Sequence, residues 1–343
     1  MKAVILVGGE GSRLRPLTTN TPKPLLPLVN RPFLDHVLYG LSTHGIHDVV
    51  LAMSYLSESF EDLYGDGSHL GMRLRYVKEE EPLGTGGAIK NVQSYLDDET
   101  FFVFNGDILT DLDLTDVLRF HRDNGSHCTI SLTSVEDPSA YGVVDLDDKG
   151  RIEKFTEKPK REATTSNWIN AGTYVMEPQI LDYIPEGAHH MVERGLFPTL
   201  LKDGKPLYGY RAGAYWMDIG TPAKYLEAHS DILSGRLKRS IEPQGELLWE
   251  GVWVGEGVSV DSGARIVGPV VLGREVVVGP GASIVGPSAL GEGCHVGEEA
   301  QLERVVAWDG ALFEAKSRAS NSVVGKDATV GQDSRVEERA LIG

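Results

Sequence analysis

Ten apolar residues stand six apart along one stretch of this chain: Val254, Val260, Ile266, Leu272, Val278, Ile284, Leu290, Val296, Leu302 and Trp308. A period of six fits neither the 3.6-residue helical turn nor the two-residue alternation of a strand over such a length. It fits coils of short parallel strands in which one apolar residue per face points inward, a parallel β-helix. Glycine follows several of these positions, at Gly255, Gly273, Gly279, Gly291 and Gly297. The frame is lost between Asp309 and Val323 and returns at Val324, Val330, Val336 and Ile342.

The chain before this repeat is of another kind. Lys2–Val7 reads as a buried strand and Phe33–His44 as a helix with Leu34, Val37, Leu38 and Leu41 on one face, stopped by Gly45. Strands follow at Asp48–Met53, Arg73–Lys78 and Phe101–Phe104, and helices at Ser57–Tyr64 and Ala88–Leu96. Such alternation predicts an α/β, Rossmann-like, mainly parallel sheet with helices on both faces. Ligands of these sheets lie beyond the carboxyl ends of the strands, where Gly8-Gly9 and Asp107 fall. The expected organisation is a domain over residues 1–230, a linker over 231–245 (DILSGRLKRSIEPQG) and a β-helix over 246–343.

Charge narrows the function. The 343 residues hold 33 Lys and Arg against 50 Asp and Glu, a formal charge of −17. That argues against a nonspecific nucleic-acid or anionic-membrane binder, which needs a basic face. No apolar run approaches the ~18–20 residues of a membrane span, and MKAVILVGGE is too short for a signal peptide. Cys128 and Cys294 show no metal-ligand spacing. A soluble cytoplasmic protein is the expectation.

Phosphate chemistry needs only a local cluster of cations. Gly8-Gly9-Glu10-Gly11-Ser12-Arg13-Leu14-Arg15-Pro16 follows the first strand. Its glycines allow a sharp turn that presents N–H groups to phosphate oxygens. Leu14 occupies the third glycine position of a dinucleotide turn, and no G-K-[ST] of a P-loop is present. Arg13 and Arg15 add charge that suits a triphosphate. Downstream, three prolines stiffen Thr21-Pro22-Lys23-Pro24-Leu25-Leu26-Pro27 and hold Lys23 at a fixed place.

GGEGSRLRPLT and PKPLLP together resemble the sugar-1-phosphate nucleotidyltransferases, the pyrophosphorylases that make nucleotide-sugars. The resemblance continues in order through EEEPLGTGGAI (79–89), FNGD (104–107), YGVV (141–144), EKP (157–159), WINAGTY (168–174) and WMDIGTP (216–222), then the hexapeptide tail. The match is closest to the mannose-1-phosphate guanylyltransferase type. The resemblance implies a nucleotidyltransferase fold followed by a left-handed β-helix. It implies that Gly8, Gly9, Gly11, Ser12 and Arg13 wrap the nucleotide phosphates, with Arg13 and Lys23 on the triphosphate. Asp107 and Asp218 would hold Mg²⁺. Glu79 would face the nucleotide base and Gly84 would bind the nucleotide, and Gly142, Glu157, Lys158 and Asn170 would line the sugar-phosphate pocket.

The inventory agrees with that chemistry. A sugar-1-phosphate is mostly a dianion at pH 7, since a second phosphate pKa is about 6. Its oxygen needs no general base, and the reaction asks for charge neutralisation and in-line positioning. No Ser/His/Asp or Cys/His set is evident, and His189-His190 reads as surface loop. Glu79 favours GTP, because a carboxylate accepts the adjacent N1–H and N2–H₂ donors of guanine together. Asn105-Gly106-Asp107 and Gly84-Thr85-Gly86-Gly87-Ala88 stand where mannose-specific members often read N-S-D and G-T-A-G-P. Glucose-1-phosphate thymidylyl or uridylyl transfer and heptose-1-phosphate guanylyl transfer therefore stay open beside mannose. A non-catalytic regulatory subunit is the rival of another class, disfavoured because Arg13, Lys23, Asp107 and Asp218 are all present. His295 alone follows residue 245, so the tail is expected to drive homo-oligomerisation rather than acyl transfer.

Overall fold

The computed structural model describes residues 1–9, 11–54, 58–164, 166–249 and 251–342. Ser57, the first residue of one expected helix, and Glu10 of the glycine loop lie outside them. Contacts divide the chain into two compact units, one of residues 1–9 and 37–216, the other of residues 10–36 and 217–343.

The first unit is an α/β sandwich. Its strands are β1 (Lys2–Leu6), β2 (Asp48–Met53), β3 (Arg73–Lys78), β4 (Phe101–Asn105), β5 (Cys128–Ser134), β6 (Gly142–Leu146), β7 (Ile152–Glu157), β8 (Trp168–Met176) and β9 (Leu207–Arg211). Among the described residues they form one sheet in the order β7-β6-β8-β4-β1-β2-β3, with β5 against β8 and β9 against β5. The four strands from β4 to β3 are parallel, in the arrangement the βαβα pattern predicts. Residues 128–176 add antiparallel neighbours, with β8 running against β4, β5 and β6. Val4, Val50, Val103, Ile130 and Tyr174 are wholly buried in the core, and each such apolar side chain contributes about 1.5–3 kcal/mol relative to exposure.

The helices are α1 (Phe33–Thr43), α2 (Glu58–Tyr64), α3 (Gly84–Asn91), α4 (Leu114–Asp123) and α5 (Phe197–Lys202). Asp113 caps α4 by accepting from the Asp116 N–H at 3.1 Å. Both boundaries of α3 depart from expectation: it opens at Gly84, four residues before the expected Ala88, and ends at Asn91, short of the expected Leu96, with a separate 3₁₀ turn at Gln93–Tyr95. Gly-Thr-Gly-Gly reads as a helix breaker, since glycine costs about 1 kcal/mol against alanine in a helix. Here the chain is crowded: a Cβ on Gly84 would lie 2.8 Å from the His190 carbonyl oxygen, and one on Gly87 would lie 2.7 Å from that of Ala188. Only glycine lets this helix begin against the 188–190 loop.

The second unit contains the β-helix. β10 (Trp216–Asp218) leads into α6 (Pro222–Leu233), whose cap is Thr221 with Pro222 at its first position. Residues 231–233, read from sequence as the start of the linker, are the last turn of α6. Beyond it the coils stack in parallel register, Val254 on Leu272 on Leu290, eighteen residues to a coil. From Leu290 the coil shortens to seventeen: Leu290 stacks on Ala307, Ala307 on Val324 and Val324 on Leu341. The lost sequence frame is thus a one-residue deletion per coil, with Phe313 between Val296 and Val330 in the stack. Trp308 and Ile342 correct the repeat reading, because Ala307 and Leu341 fill the stacked positions and the expected residues follow them. Small residues such as Ala307 and Ala319 are invisible to a search for large apolar side chains. The corner glycines also have a physical reason, since a Cβ on Gly273 would lie 2.7 Å from the carbonyl carbon of Gly291 in the next coil.

Candidate active site

In the second unit, two cations converge on one carboxylate. Lys23 lies on a single 3₁₀ turn over Lys23–Leu25, set by the flanking prolines and closed by the Leu26 N–H donating to the Lys23 carbonyl at 3.1 Å. Its ammonium is buried, and Nζ lies 3.5 Å from Asp218 Oδ1. Arg13, on the 3₁₀ turn Ser12–Leu14 that Gly11 opens at φ 60°, brings Nη2 to 3.5 Å from Asp218 Oδ2. The Arg13 side chain is 66% exposed against 8% for Lys23. Lys23 is therefore the fixed charge and Arg13 the one that can move. Both separations exceed a strong charge-assisted hydrogen bond of about 2.7–2.9 Å, and Asp218 Oδ1 is buried with no hydrogen-bond partner.

In the first unit, the carboxyl ends of three parallel strands carry the predicted residues. Gly8 follows β1, and its carbonyl accepts from Ser54 Oγ just past β2. Glu79 follows β3, its backbone N–H donating to the Met53 carbonyl at 2.8 Å. Its side chain is buried, and Oε2 accepts from the Leu83 N–H at 3.0 Å. Burial pushes the Glu79 carboxyl above the usual carboxylate range, opposed by that N–H. Asp107 occupies the turn after β4, which the Gly106 N–H pins to the Leu6 carbonyl at 2.9 Å. Gly8, Glu79 and Asp107 thus share one edge of the sheet, where a ligand of a parallel sheet is expected.

The predicted sugar-phosphate residues gather on the antiparallel strands. Gly142 and Glu157 are register partners across β6 and β7. Lys158 Nζ lies 3.8 Å from Glu157 Oε1, with the lysine backbone in the left-handed region at φ 47°. Asn170 is clamped at both ends of its amide: Nδ2 donates to the Tyr174 hydroxyl at 2.8 Å, and Oδ1 accepts from the Gly172 N–H at 2.9 Å.

One element of this region escaped the sequence reading. Thr85 donates to Glu193 Oε2 at 2.9 Å and accepts from the Val192 N–H at 3.0 Å. Burial raises the Glu193 carboxyl, and Glu157 adds to the effect. His190, expected as surface loop, fastens that loop to α3: its carbonyl accepts from the Gly86 and Gly87 N–H groups at 2.8 and 3.0 Å. The only sequence signal was the glycine run itself, a helix start that needs a neighbour in close contact.

The profile of the family described as Nucleotidyl transferase matches residues 2–235. The chain belongs to that family. It is 41% identical over 321 residues to the mannose-1-phosphate guanylyltransferase of Mycobacterium tuberculosis, covering 91% of this chain and 81% of the relative. It is 37% identical over 287 residues to the UTP–glucose-1-phosphate uridylyltransferase of Synechocystis, covering 80% and 74%. Among solved structures, HddC from Yersinia pseudotuberculosis, complexed with GMP-PN, superposes with a TM-score of 0.58 at 30% identity, over 67% of this chain and 99% of that one.

In this nucleotidyl transferase, among the described residues, no group of three or more His, Cys, Asp or Glu is gathered as a metal site. Mg²⁺ does not require one, because it keeps several waters and takes one or two carboxylates plus substrate phosphates. The buried Oδ1 of Asp218, which has no hydrogen-bond partner, is an oxygen donor of the kind such a hard cation takes. No helix of the described residues is long and apolar enough to cross a membrane.

Proposed function

We propose that the protein transfers a guanylyl group from GTP to a sugar-1-phosphate, with mannose-1-phosphate as the favoured acceptor. The products are a GDP-sugar and pyrophosphate. The phosphate oxygen of the sugar-1-phosphate forms the new bond to the α-phosphorus, and the bond from that phosphorus to the pyrophosphate oxygen breaks. Lys23 and Arg13 neutralise the triphosphate and the leaving pyrophosphate. Gly8, Gly9, Gly11 and Ser12 supply backbone donors to it. Asp107 and Asp218 are the carboxylates assigned to Mg²⁺, which when bound supplies further charge neutralisation.

The single observation that carries the base assignment is Glu79, a buried carboxylate held in place by the Leu83 N–H at the carboxyl edge of the sheet. Its lone pairs can accept both guanine donors. The guanylyltransferase relative and the HddC complex support the reading. Gly142, Glu157, Lys158 and Asn170 are assigned to the sugar-phosphate. The test is pyrophosphate release across four nucleoside triphosphates and several sugar-1-phosphates. The expected maximum is GTP with mannose-1-phosphate; a maximum with UTP or dTTP and glucose-1-phosphate contradicts the assignment.

Homo-oligomerisation through the β-helix belongs to the same proposal. The strand Glu246–Trp249 exposes Leu247, Leu248 and Trp249 side by side and pairs with Val252–Val254 at the edge of its sheet. An apolar edge strand is a template for self-association. Light scattering of Trp249→Ser should show a smaller mass than wild type; an unchanged mass removes this strand from the assembly.

A further inference from the structure

Lys23 and Asp218 each begin a short segment that ends on the β-helix. From Lys23 the chain runs through the hairpin Pro27–Leu28 and Arg31–Pro32, whose two-residue turn is Val29-Asn30. Both turn residues have positive φ, 53° and 60°, as a type I′ turn requires. Asparagine suits that turn and valine does not. Surrounding structure therefore holds the tip: the Val29 N–H donates to His229 Nδ1 at 3.2 Å, and Asn30 Nδ2 donates to the Leu290 carbonyl at 2.6 Å. Leu290 is a buried rung of the β-helix core.

From Asp218 the chain enters α6, and one turn on, Tyr225 is fully enclosed. Its hydroxyl donates to the Pro27 carbonyl of the same hairpin and accepts from Trp308 Nε1 at 3.1 Å. Trp308 follows Ala307, the residue stacked on Leu290. Two neighbouring coils thus hold the two segments that carry the ion pair, and Tyr225 ties those segments to each other. This network gives the displaced Trp308 a role that a core repeat position would not need.

We propose that the β-helix positions the Lys23–Asp218 pair for nucleotidyl transfer, with Asn30, Tyr225 and Trp308 as the positioning residues. The proposal rests on the reading that Lys23 acts on the triphosphate. It gives the tail a part in the chemistry beyond assembly. Misplacing a fixed charge by about 1 Å costs on the order of 10²-fold in rate, and a loosened hairpin tip displaces Lys23 without removing it.

The test uses the full chain and two mild variants: Trp308→Phe, which keeps a ring but loses the N–H, and Asn30→Gly, which keeps the positive φ but loses the amide. Each is made alone and with Lys23→Ala. Steady-state kinetics for GTP and mannose-1-phosphate are measured together with equilibrium binding of GTP. The expected result is a fall in kcat of roughly 10- to 100-fold for each single variant, weaker GTP binding, and a KM for the sugar-1-phosphate within about twofold of wild type. In the Lys23→Ala background Asn30→Gly should cost little more, because the group its hairpin positions is gone, and Trp308→Phe should cost less than in wild type, because only Asp218 of the pair remains. Equal losses in both backgrounds, or wild-type kcat in both single variants, overturn the proposal. If Lys23→Ala alone turns over normally, the reading of the site has failed first and the positioning role falls with it.

Discussion

Lys23 and Asp218 face each other as full charges 3.5 Å apart, whereas Glu79 and Glu193 are fixed by neutral donors, a backbone N–H and a threonine hydroxyl. The contrast separates two kinds of recognition. A triphosphate is recognised by charge that is already aimed, and a loose ion pair can exchange its partner for a phosphate or a metal. Bases and sugar hydroxyls are recognised by oriented acceptors, and an acceptor held by a neutral neighbour keeps its remaining lone pairs available. Substitutions in the first set should therefore act on turnover for every nucleotide. Those in the second should act on which substrate is chosen.

The largest effect is expected at the carboxylates assigned to the metal. Asp107→Asn should fold normally and lose at least about 10²-fold in kcat. Near-normal turnover at saturating Mg²⁺ would remove Asp107 from the site. Next come the cations. Lys23→Ala should cost roughly 10- to 100-fold, since water does not replace a fixed buried charge. Arg13→Ala should cost less, because its side chain is largely exposed; a larger loss at Arg13 than at Lys23 would invert the assignment of fixed and mobile charge.

Gly142→Ala probes the sugar side. The added Cβ would lie 2.5 Å from Phe155 Cζ and 3.0 Å from Glu157 Oε2, so the pocket wall must shift. The expected change is a severalfold rise in KM for the sugar-1-phosphate with KM for GTP unmoved. Equal rises for both substrates would show that the two kinds of recognition are not separable there. The smallest effect is at Glu193, whose folded-state carboxyl is raised by burial above its unfolded value. Stability is then lost as pH rises from the unfolded value through the folded one. Glu193→Gln keeps an acceptor for Thr85 and removes that loss. Its Tm should exceed that of wild type at pH 8, with the gap closing toward pH 4; a constant gap would mean that ionisation of Glu193 carries no cost.

The parallel half of the sheet was legible because its strands are short buried runs punctuated by glycine and aspartate, and β2 and β3 have the predicted bounds. The β-helix was legible because its period is unlike that of any helix or strand. What stayed hidden depends on contacts between distant segments. The start of α3 at Gly84 follows from the approach of His190, and the displacement of Trp308 follows from a coil one residue shorter. Lys23 and Asp218 stand in separate motifs, and the ion pair between them joins residues far apart in the chain. Glu193 carries no local signal, since only the fold brings Thr85 to it.

The division between charge and choice is tested most directly by one ratio, kcat/KM for GTP over that for UTP, measured with one accepted sugar-1-phosphate in wild type, Lys23→Ala and Glu79→Gln. Glutamine at 79 can still accept from Leu83 but leaves one guanine donor facing an NH₂ group. An unpaired buried donor costs about 1–3 kcal/mol, so GTP use should fall roughly 5- to 150-fold while UTP use falls less or rises. Lys23→Ala should lower both nucleotides by the same factor and leave the ratio at its wild-type value. A wild-type preference for UTP, or a ratio that moves as far in Lys23→Ala as in Glu79→Gln, would contradict the account.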